Sequence, residues 1–294
     1  MSEQRVSTGV KELDAALGGG LLPGTLTVVV GATGIGKTQL GIQFIHSGGP
    51  QEGQHGVILD FTARGDSQNH AAYAKRISQW TLEEQEPPPR DRLGDLISGA
   101  HSVGDYLPMV IQRGRRVARA EMSDDEWRDW QAEWNREMQR ITAFLYGAFV
   151  QGRRRFIVDG VEPAVGDFDS AQMHLFDHLY HKVIRQDPEW VARELFREQY
   201  LRFADAVREN TYSPEAITGM MLVTTTELML DPLIESPPVK KDLIANANTV
   251  ILMGKTRSGG EIGRALYIAK HRGSACRDAI LPYTIEERGL RLLA

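Results

Sequence analysis

The stretch Gly31-Ala32-Thr33-Gly34-Ile35-Gly36-Lys37-Thr38 decides the fold, because it matches the pattern GxxxxGK[ST] in full. An apolar run, Leu26 to Val30, precedes it, and a helical pattern, Gln39 to His46, follows it. In this strand–loop–helix context the glycines let backbone N–H groups surround a phosphate, and the helix N-terminus adds positive potential. We therefore expect residues 31–38 to bind nucleotide phosphates. Lys37 would contact the β- and γ-phosphates, and the Thr38 hydroxyl would bind Mg²⁺.

Short apolar runs recur along the chain and indicate the fold class. They are Leu26 to Val30, Val57 to Phe61, Phe156 to Val158, Met220 to Thr225, Thr249 to Met253 and Ala265 to Ala269. Uninterrupted runs of this length are typical of strands buried on both faces of a parallel sheet, and the stretches between them have helical patterns. The sequence therefore predicts an α/β protein with a largely parallel central sheet. Glycine-rich turns after Thr249 predict a C-terminal β-hairpin or meander.

Two segments are longer than a crossover between strands requires, namely 65–155 and 160–219. We interpret them as helical insertions, at about 67–150 and 162–218, in a single domain that covers 1–294. Glu189 to Asn210 is expected to be helical. Trp127, Trp130 and Trp134 are spaced i, i+3, i+7, which predicts a helix face that packs on the core or on a partner subunit.

Composition excludes several classes of protein. The 294 residues include 34 Lys and Arg against 39 Asp and Glu, a net charge of −5, and 41% are hydrophobic. No apolar run reaches the roughly 18 residues of a membrane span, and the N-terminus lacks the apolar stretch of a signal peptide. The lone Cys276 fits a reducing compartment. We expect a soluble, cytoplasmic protein without a membrane partner, and the acidic balance argues against a dedicated nucleic-acid binder.

Two acidic residues end buried strands and could bind Mg²⁺. Asp159 closes the run Phe156 to Val158, and Asp60 closes Val57 to Leu59. A metal-binding acid in such folds ends a strand beside the phosphate loop, so each residue has the required form.

Beyond the phosphate loop, both ends of the chain resemble the KaiC/RadA branch of the RecA-like ATPases. The opening block is Ser7-Thr8-Gly9-Val10-Lys11-Glu12-Leu13-Asp14, then Leu17-Gly18-Gly19-Gly20-Leu21 and Gly24. The closing block is Ile268-Ala269-Lys270-His271-Arg272-Gly273-Ser274, then Pro282-Tyr283-Thr284-Ile285. Between these ends the resemblance covers only the strand of Asp159 and the run from Leu222 to Glu227.

The resemblance implies a RecA-like core that binds ATP with Mg²⁺ and assembles into a ring, commonly hexameric, with nucleotide at the subunit interfaces. It favours Asp159 over Asp60 as the metal-binding acid. The Lys-x-Arg pair of the family corresponds to Lys270 and Arg272, which would reach the ATP of a neighbouring subunit. The resemblance also assigns Thr226 and Glu227 to the end of the strand that senses the γ-phosphate.

One departure from the family concerns catalysis. Thr62 and Ala63 stand where KaiC-type domains carry two glutamates that orient the attacking water. Neither residue can act as a base, and a substitute must come within about 3 Å of the water or reach it through another water. Asp60 or Asp66 could serve, which leaves two interpretations: slow hydrolysis with a substitute acid, or nucleotide binding with hardly any turnover.

These observations favour a nucleotide-controlled oligomeric switch or assembly platform for a protein partner. One alternative is a DNA-dependent ATPase of the RadA type. The segment Leu228 to Asp242 argues against it, because it is apolar and acidic where a DNA-contacting loop should be basic. The other alternative is a structural ring in which nucleotide only holds subunits together.

Two weaker patterns remain. His174, His178 and His181 would share one face if Ala171 to Arg185 is helical, where they could bind a metal, titrate at an interface or simply pack. Two arginine clusters could contact phosphates, although the second also fits the solvent end of a strand. The clusters are Arg113/Arg115/Arg116 and Arg153/Arg154/Arg155.

Overall fold

A nine-stranded sheet forms the frame of the computed structural model. The structure describes residues 5–61, 70–85, 94–98, 102–108, 122–161, 175, 178–237 and 245–293. The strands are β1 Leu26–Ala32, β2 Val57–Asp60, β3 Tyr106–Pro108, β4 Arg155–Val161, β5 Thr218–Thr225, β6 Thr249–Ser258, β7 Glu261–His271, β8 Leu281–Glu286 and β9 Gly289–Leu292. Their order in the sheet is β3-β2-β4-β5-β1-β6-β7-β8-β9.

The strands from β3 to β6 run parallel, and β6 to β9 form an antiparallel meander. The predicted α/β class, the largely parallel sheet and the C-terminal meander are therefore confirmed. β3 was not predicted, because three residues that end in a proline give no strand pattern. β6 and β7 have 10 and 11 residues, longer than the short strands expected after Thr249.

Helices cover both faces of this sheet. They are α1 Lys11–Ala16, α2 Lys37–His46, α3 Gly48–Glu52, α4 His70–Ser78, α5 Gly94–Ser98, α6 Asp124–Val150, a π-helix at His178–Ile184, α7 Pro188–Phe196, α8 Tyr200–Glu209 and α9 Leu230–Glu235. One apolar core joins α1, α2 and part of the C-terminal meander to the first face. The other joins α6 and the π-helix to the second face. All seven residues of β1 are buried between them, as its unbroken apolar pattern predicts.

α6 is the longest helix, and its start follows a capping box in which Ser123 and Glu126 exchange hydrogen bonds. The three tryptophans stack with ring centroids 4.7 Å and 5.6 Å apart. Trp130 and Trp134 are buried in the core and Trp127 packs against it, so the predicted packing of this helix face on the core is confirmed.

Glu189 to Asn210 is helical as expected, but it forms two helices rather than one. α7 ends at Phe196, a 3₁₀ turn follows, and α8 begins at Tyr200. Arg197 at the break has φ 47°. The break lets residues of both helices pack against Tyr146 of α6 in a third apolar cluster. The boundary of 1–294 as a single domain stays a prediction, although every described strand belongs to one sheet.

The second arginine cluster was expected to contact phosphates or to mark the solvent end of a strand. For Arg155 this expectation is wrong, because the residue is fully buried. Its guanidinium donates to Glu52 at 2.7 Å and to the carbonyls of Ser7 at 2.7 Å and Phe44 at 2.8 Å. It also bonds Gln51. A residue expected at the solvent end of β4 thus joins the N-terminal segment, α2 and α3.

The remaining arginines of the two clusters are one ion-paired residue, one exposed residue and three residues that the structure does not describe. Arg153 pairs with Asp105 at 2.6 Å, and Arg154 is exposed. The cluster Arg113/Arg115/Arg116 lies outside the described residues. In the part of the chain that the structure describes, no helix is long and apolar enough to cross a bilayer.

Candidate nucleotide site

The phosphate loop connects the end of β1 to the start of α2 at the carboxyl edge of the sheet. Gly34 and Gly36 have φ of 77° and 109°, which is the left-handed region that glycine adopts without strain. Thr33 and Gly34 are exposed, and a Cβ added at Gly34 would meet nothing within 4 Å. At Gly31 a Cβ would lie 2.5 Å from the Met253 carbonyl oxygen of β6. The loop is therefore packed tightly at its base and open at its tip.

Lys37 lies beneath this loop and is 5% exposed. Its Nζ donates to the carbonyl oxygens of Gly31 and Ala32, each at 2.9 Å. Burial lowers the pKa of Lys37 to about 8, and the negative charge of Asp159 offsets part of that shift. A cation held in this way can exchange carbonyl partners for phosphate oxygens.

Thr38 and Asp159 meet directly below the loop. The Thr38 hydroxyl donates to Asp159 Oδ2 at 2.7 Å, and both residues are buried. Burial alone would raise the pKa of Asp159, but hydrogen bonds from His70 and Thr38 and the charge of Lys37 lower it below its usual range. Asp159 is thus an ionised carboxylate next to a hydroxyl.

Asp60 lies beside Asp159, since the two residues are register partners at the ends of β2 and β4. The Tyr106 hydroxyl donates to Asp60 Oδ2 at 2.6 Å. Burial and this hydrogen bond raise the pKa of Tyr106. Asp60 is therefore one strand further from Thr38 than Asp159 is, and the geometry favours Asp159 as the metal-binding acid.

His70 connects the two carboxylates and was not predicted from the sequence. Its Nε2 lies 3.0 Å from Asp159 Oδ2, its Nδ1 lies 3.5 Å from Asp60 Oδ2, and the residue is 2% exposed. His70 and Tyr106 belong to no motif, and only the pairing of β2 with β3 and the position of α4 bring them to the site. Thr62, Ala63 and Asp66, where a water-activating acid was sought, lie outside the described residues.

The residues at the loop fit ATP with Mg²⁺. Hydroxyl and carboxylate oxygens are ligands that Mg²⁺ prefers, and Thr38 and Asp159 offer both at one point. The open loop tip and the ammonium of Lys37 suit a polyphosphate. Thr226 and Glu227 follow β5 at the same edge, where Thr225 pairs with Ala32. The Glu227 carboxylate accepts a hydrogen bond from the Met229 N–H at 2.8 Å.

Lys270 and Arg272 lie at the other end of the sheet. Thr27 near the start of β1 pairs with Thr249 of β6, and Thr249 pairs with His271. Gly31 is four residues further along β1, which is about 13 Å along the strand axis. The structure therefore separates this pair from the phosphate loop of its own chain.

The histidine stripe gains no support as a metal site. His178 and His181 lie in a π-helix rather than an α-helix, and His174 lies outside the described residues. His178 Nε2 lies 2.8 Å from the Thr142 hydroxyl, and burial lowers the pKa of His178 to about 4. No group of three or more His, Cys, Asp or Glu within the described ranges could hold a metal ion.

Comparisons with known proteins find similarity to KaiC proteins. A family model described as "ATPase: KaiC" matches residues 6–84, which include the phosphate loop. The circadian clock oscillator protein KaiC of Thermostichus vulcanus is 22% identical over 294 residues, 99% of this chain and 43% of that protein. The protein of the same name from Parathermosynechococcus lividus is 29% identical over 294 residues, 99% of this chain and 41% of that protein. The chain thus spans about two-fifths of the length of these relatives.

Proposed function

We propose that this chain, which is similar to KaiC proteins and carries a phosphate loop at the edge of a parallel sheet, is an ATP-controlled oligomeric switch or assembly platform for a protein partner. Bound nucleotide would change how copies of the chain associate, and hydrolysis would be weak or absent. The partner would be a protein rather than a nucleic acid, in keeping with the net charge of −5.

Each residue at the loop has a separate task in this proposal. Backbone N–H groups of residues 31–38 bind the phosphates, and Lys37 neutralises charge on the β- and γ-phosphates. Thr38 and Asp159 would hold Mg²⁺, which supplies positive charge at the phosphates when bound. The 2.7 Å contact between these two residues supports the assignment, because both oxygens already face one point.

The observation that carries the proposal is the division of cationic groups between the two ends of β1. The phosphate loop occupies the carboxyl edge of the sheet, whereas Lys270 and Arg272 occupy the amino edge. Head-to-tail association of identical copies brings opposite surfaces together and closes into a ring when the rotation permits. Such an assembly would place the pair of one copy against the nucleotide of the next, where cations stabilise phosphate charge.

Weak hydrolysis follows from the missing acids. Thr62 and Ala63 provide no base. Asp60 is the register partner of Asp159 on the adjacent strand, and Tyr106 and His70 both contact it, which restrains it at a position set back from Thr38. We propose that Asp60 supports at most slow turnover.

The test combines mass determination with phosphate release on the same samples. The chain is measured without nucleotide, with ATP and with ADP, by multi-angle light scattering and by a phosphate assay. We expect larger assemblies with ATP than with ADP, and little phosphate release. Lys37→Ala should abolish ATP binding, and Arg272→Ala should weaken assembly more than it weakens nucleotide affinity.

Arg154→Ala is the matched control, because Arg154 is an exposed arginine at the same edge of the sheet. It should change neither assembly nor affinity. Undiminished ATP binding by Lys37→Ala would contradict the proposal. Equal assembly with ATP and ADP would favour the structural ring, and phosphate release stimulated by DNA would favour the recombinase-type ATPase.

A further inference from the structure

β7, which contains Lys270 and ends one residue before Arg272, is irregular just before this pair. Val250 of β6 pairs with Lys270, whereas the next residue, Ile251, pairs with Ile268. Ala269 is therefore an extra residue, and β7 has a β-bulge there. A bulge changes the direction of the side chains that follow it, and bulges are frequent next to functional sites.

His271 lies between the two cations and uses both ring nitrogens. Nδ1 lies 2.9 Å from the Thr249 hydroxyl and Nε2 lies 2.8 Å from the Ser274 hydroxyl. Burial and the positive charge of Arg5 lower the pKa of His271, so the ring is neutral at pH 7. A neutral imidazole donates from one nitrogen and accepts at the other, and a hydroxyl can do either. The ring thus links the start of β6 to the turn after β7.

The turn beyond His271 is in turn fixed to the N-terminal part of the chain. The Ser274 hydroxyl donates to the Leu17 carbonyl at 3.1 Å, and Arg5 donates to the Gly273 carbonyl at 3.0 Å. A Cβ added at Gly273, which has φ 92°, would lie 2.4 Å from a methyl carbon of Leu22. The turn therefore has little freedom to shift.

The two cations differ in what they contact. The Arg272 backbone N–H donates to the Asn248 carbonyl at 3.1 Å, and its exposed guanidinium has no hydrogen bond or ion pair among the described residues. Lys270 Nζ donates to the Ala245 carbonyl at 3.0 Å. The backbone of the pair is thus firmly held while the Arg272 guanidinium remains available to a ligand from outside the chain.

We propose that His271 is a positioning residue that fixes the backbone of Lys270 and Arg272 for contact with the nucleotide phosphates of a neighbouring copy. This inference rests on the proposed function, because it requires the pair to act between copies. The side chain links three segments (β6, the turn after β7 and, through Ser274, the residues after α1), and none of these links depends on nucleotide in the same chain.

The decisive experiment compares His271→Leu alone and in the Arg272→Ala background. Leucine has a similar size but cannot bond Thr249 or Ser274. We expect His271→Leu to raise the protein concentration needed for ATP-dependent assembly about tenfold, since misplacing a positioned group by about 1 Å costs up to 10²-fold. The affinity of the dissociated chain for ATP should change less than twofold. In the Arg272→Ala background the further effect of His271→Leu should also be below twofold.

Two other variants control for the possibility that His271→Leu fails to fold. Ser274→Ala removes one of the two ring contacts and should shift assembly in the same direction by a smaller factor. His181→Leu, at an exposed histidine of the π-helix, is the control and should have no effect. Thermal unfolding followed by circular dichroism identifies any variant that fails to fold, and Ser274→Ala then replaces His271→Leu in the comparison.

The outcomes separate this inference from the proposed function. If Arg272→Ala weakens assembly but His271→Leu and Ser274→Ala do not, the positioning role is wrong and the proposed function stands. If His271→Leu has the same tenfold effect with and without Arg272, the histidine acts on something other than the pair, which also overturns the inference. If Arg272→Ala leaves ATP-dependent assembly unchanged, the contact between copies and the positioning role both fail.

Discussion

Lys37 is a buried ammonium whose partners are two carbonyl groups of its own loop, and its lowered pKa follows from that position. Phosphate binding requires the protonated form. With a pKa of about 8 in the nucleotide-free chain, Lys37 is mostly charged below pH 8 and must take up a proton to bind ATP above it. ATP affinity should therefore fall above pH 8, by up to about tenfold per pH unit.

Calorimetry at pH 7 to 9.5 checks this expectation. Proton uptake above pH 8 would appear as a binding enthalpy that depends on the ionisation enthalpy of the buffer. Lys37→Arg provides the comparison, because a guanidinium stays charged throughout this range. That variant should bind more weakly but without the pH slope, and a wild-type affinity that is constant to pH 9.5 would contradict the assignment.

Asp159 and Asp60 differ in their distance from Thr38, and this difference can be measured. The factor by which Mg²⁺ strengthens ATP binding should be smaller in Asp159→Asn than in the wild type, by about tenfold or more. Losses of this size are seen when groups that support a metal are removed. Asp60→Asn, the same substitution on the adjacent strand, should leave this factor nearly unchanged. Titrating Mg²⁺ at fixed ATP and following binding by calorimetry checks both, and equal losses would show that the two acids share the metal.

The motif residues could be placed from the sequence because their chemistry depends on local spacing. The loop pattern gave Thr38, and strand ends gave Asp60 and Asp159 as alternatives, between which only the family resemblance favoured Asp159, the residue that contacts Thr38. His70 and Tyr106 could not be found in this way. They reach Asp159 and Asp60 only through the packing of α4 and the pairing of β3, which no local pattern encodes.

At the scale of elements, the break between α7 and α8 shows that hydrophobic periodicity alone does not locate the end of a helix. Both helices are amphipathic, so the pattern continues through Phe196 and Tyr200 as if one helix ran from Glu189 to Asn210. The fold instead turns the chain at Arg197 so that both apolar faces reach Tyr146. Packing overrides helix propensity here, because burial of these aromatic residues stabilises more than a few additional helical residues would.

The backbone conformation at this turn should lower the free energy of unfolding, and this effect can be measured. Arg197 has φ 47°, which a side chain with a Cβ adopts unfavourably, so Arg197→Gly should stabilise the fold by about 1 kcal/mol. Glu194→Gly, at an exposed position inside α7, should destabilise it by about the same amount. Urea unfolding of the three proteins measures both values. A loss of stability in Arg197→Gly would show that the arginine side chain contributes more than its backbone conformation costs.

At the scale of the whole molecule, Arg155 holds together parts of the chain that are far apart in sequence. Its bonds reach Ser7, Phe44, Gln51 and Glu52. The α/β rhythm predicts the sheet, because buried parallel strands leave long apolar runs. It does not predict this junction, since an arginine before a strand usually marks the solvent end.

Replacing Arg155 should therefore destabilise the entire fold. Arg155→Met keeps much of the volume but leaves Glu52 without its cation in a mostly buried position, and breaking such a pair costs about 3–5 kcal/mol. Arg154→Met, one residue earlier and exposed, should stay within about 0.5 kcal/mol of the wild type. Urea unfolding measures both, and a small effect at Arg155 would mean that the N-terminal segment is held by other contacts.

If Lys270 and Arg272 act on a neighbouring copy as we propose, their separation from the phosphate loop along β1 would give the molecule a donor end and an acceptor end. Two differently inactivated copies should then complement each other. A Lys37→Ala chain can still present Lys270 and Arg272 to a neighbouring copy, and an Arg272→Ala chain can still bind the nucleotide that they would contact. Mixed in equal amounts, the two should recover more ATP-dependent assembly than either chain shows alone.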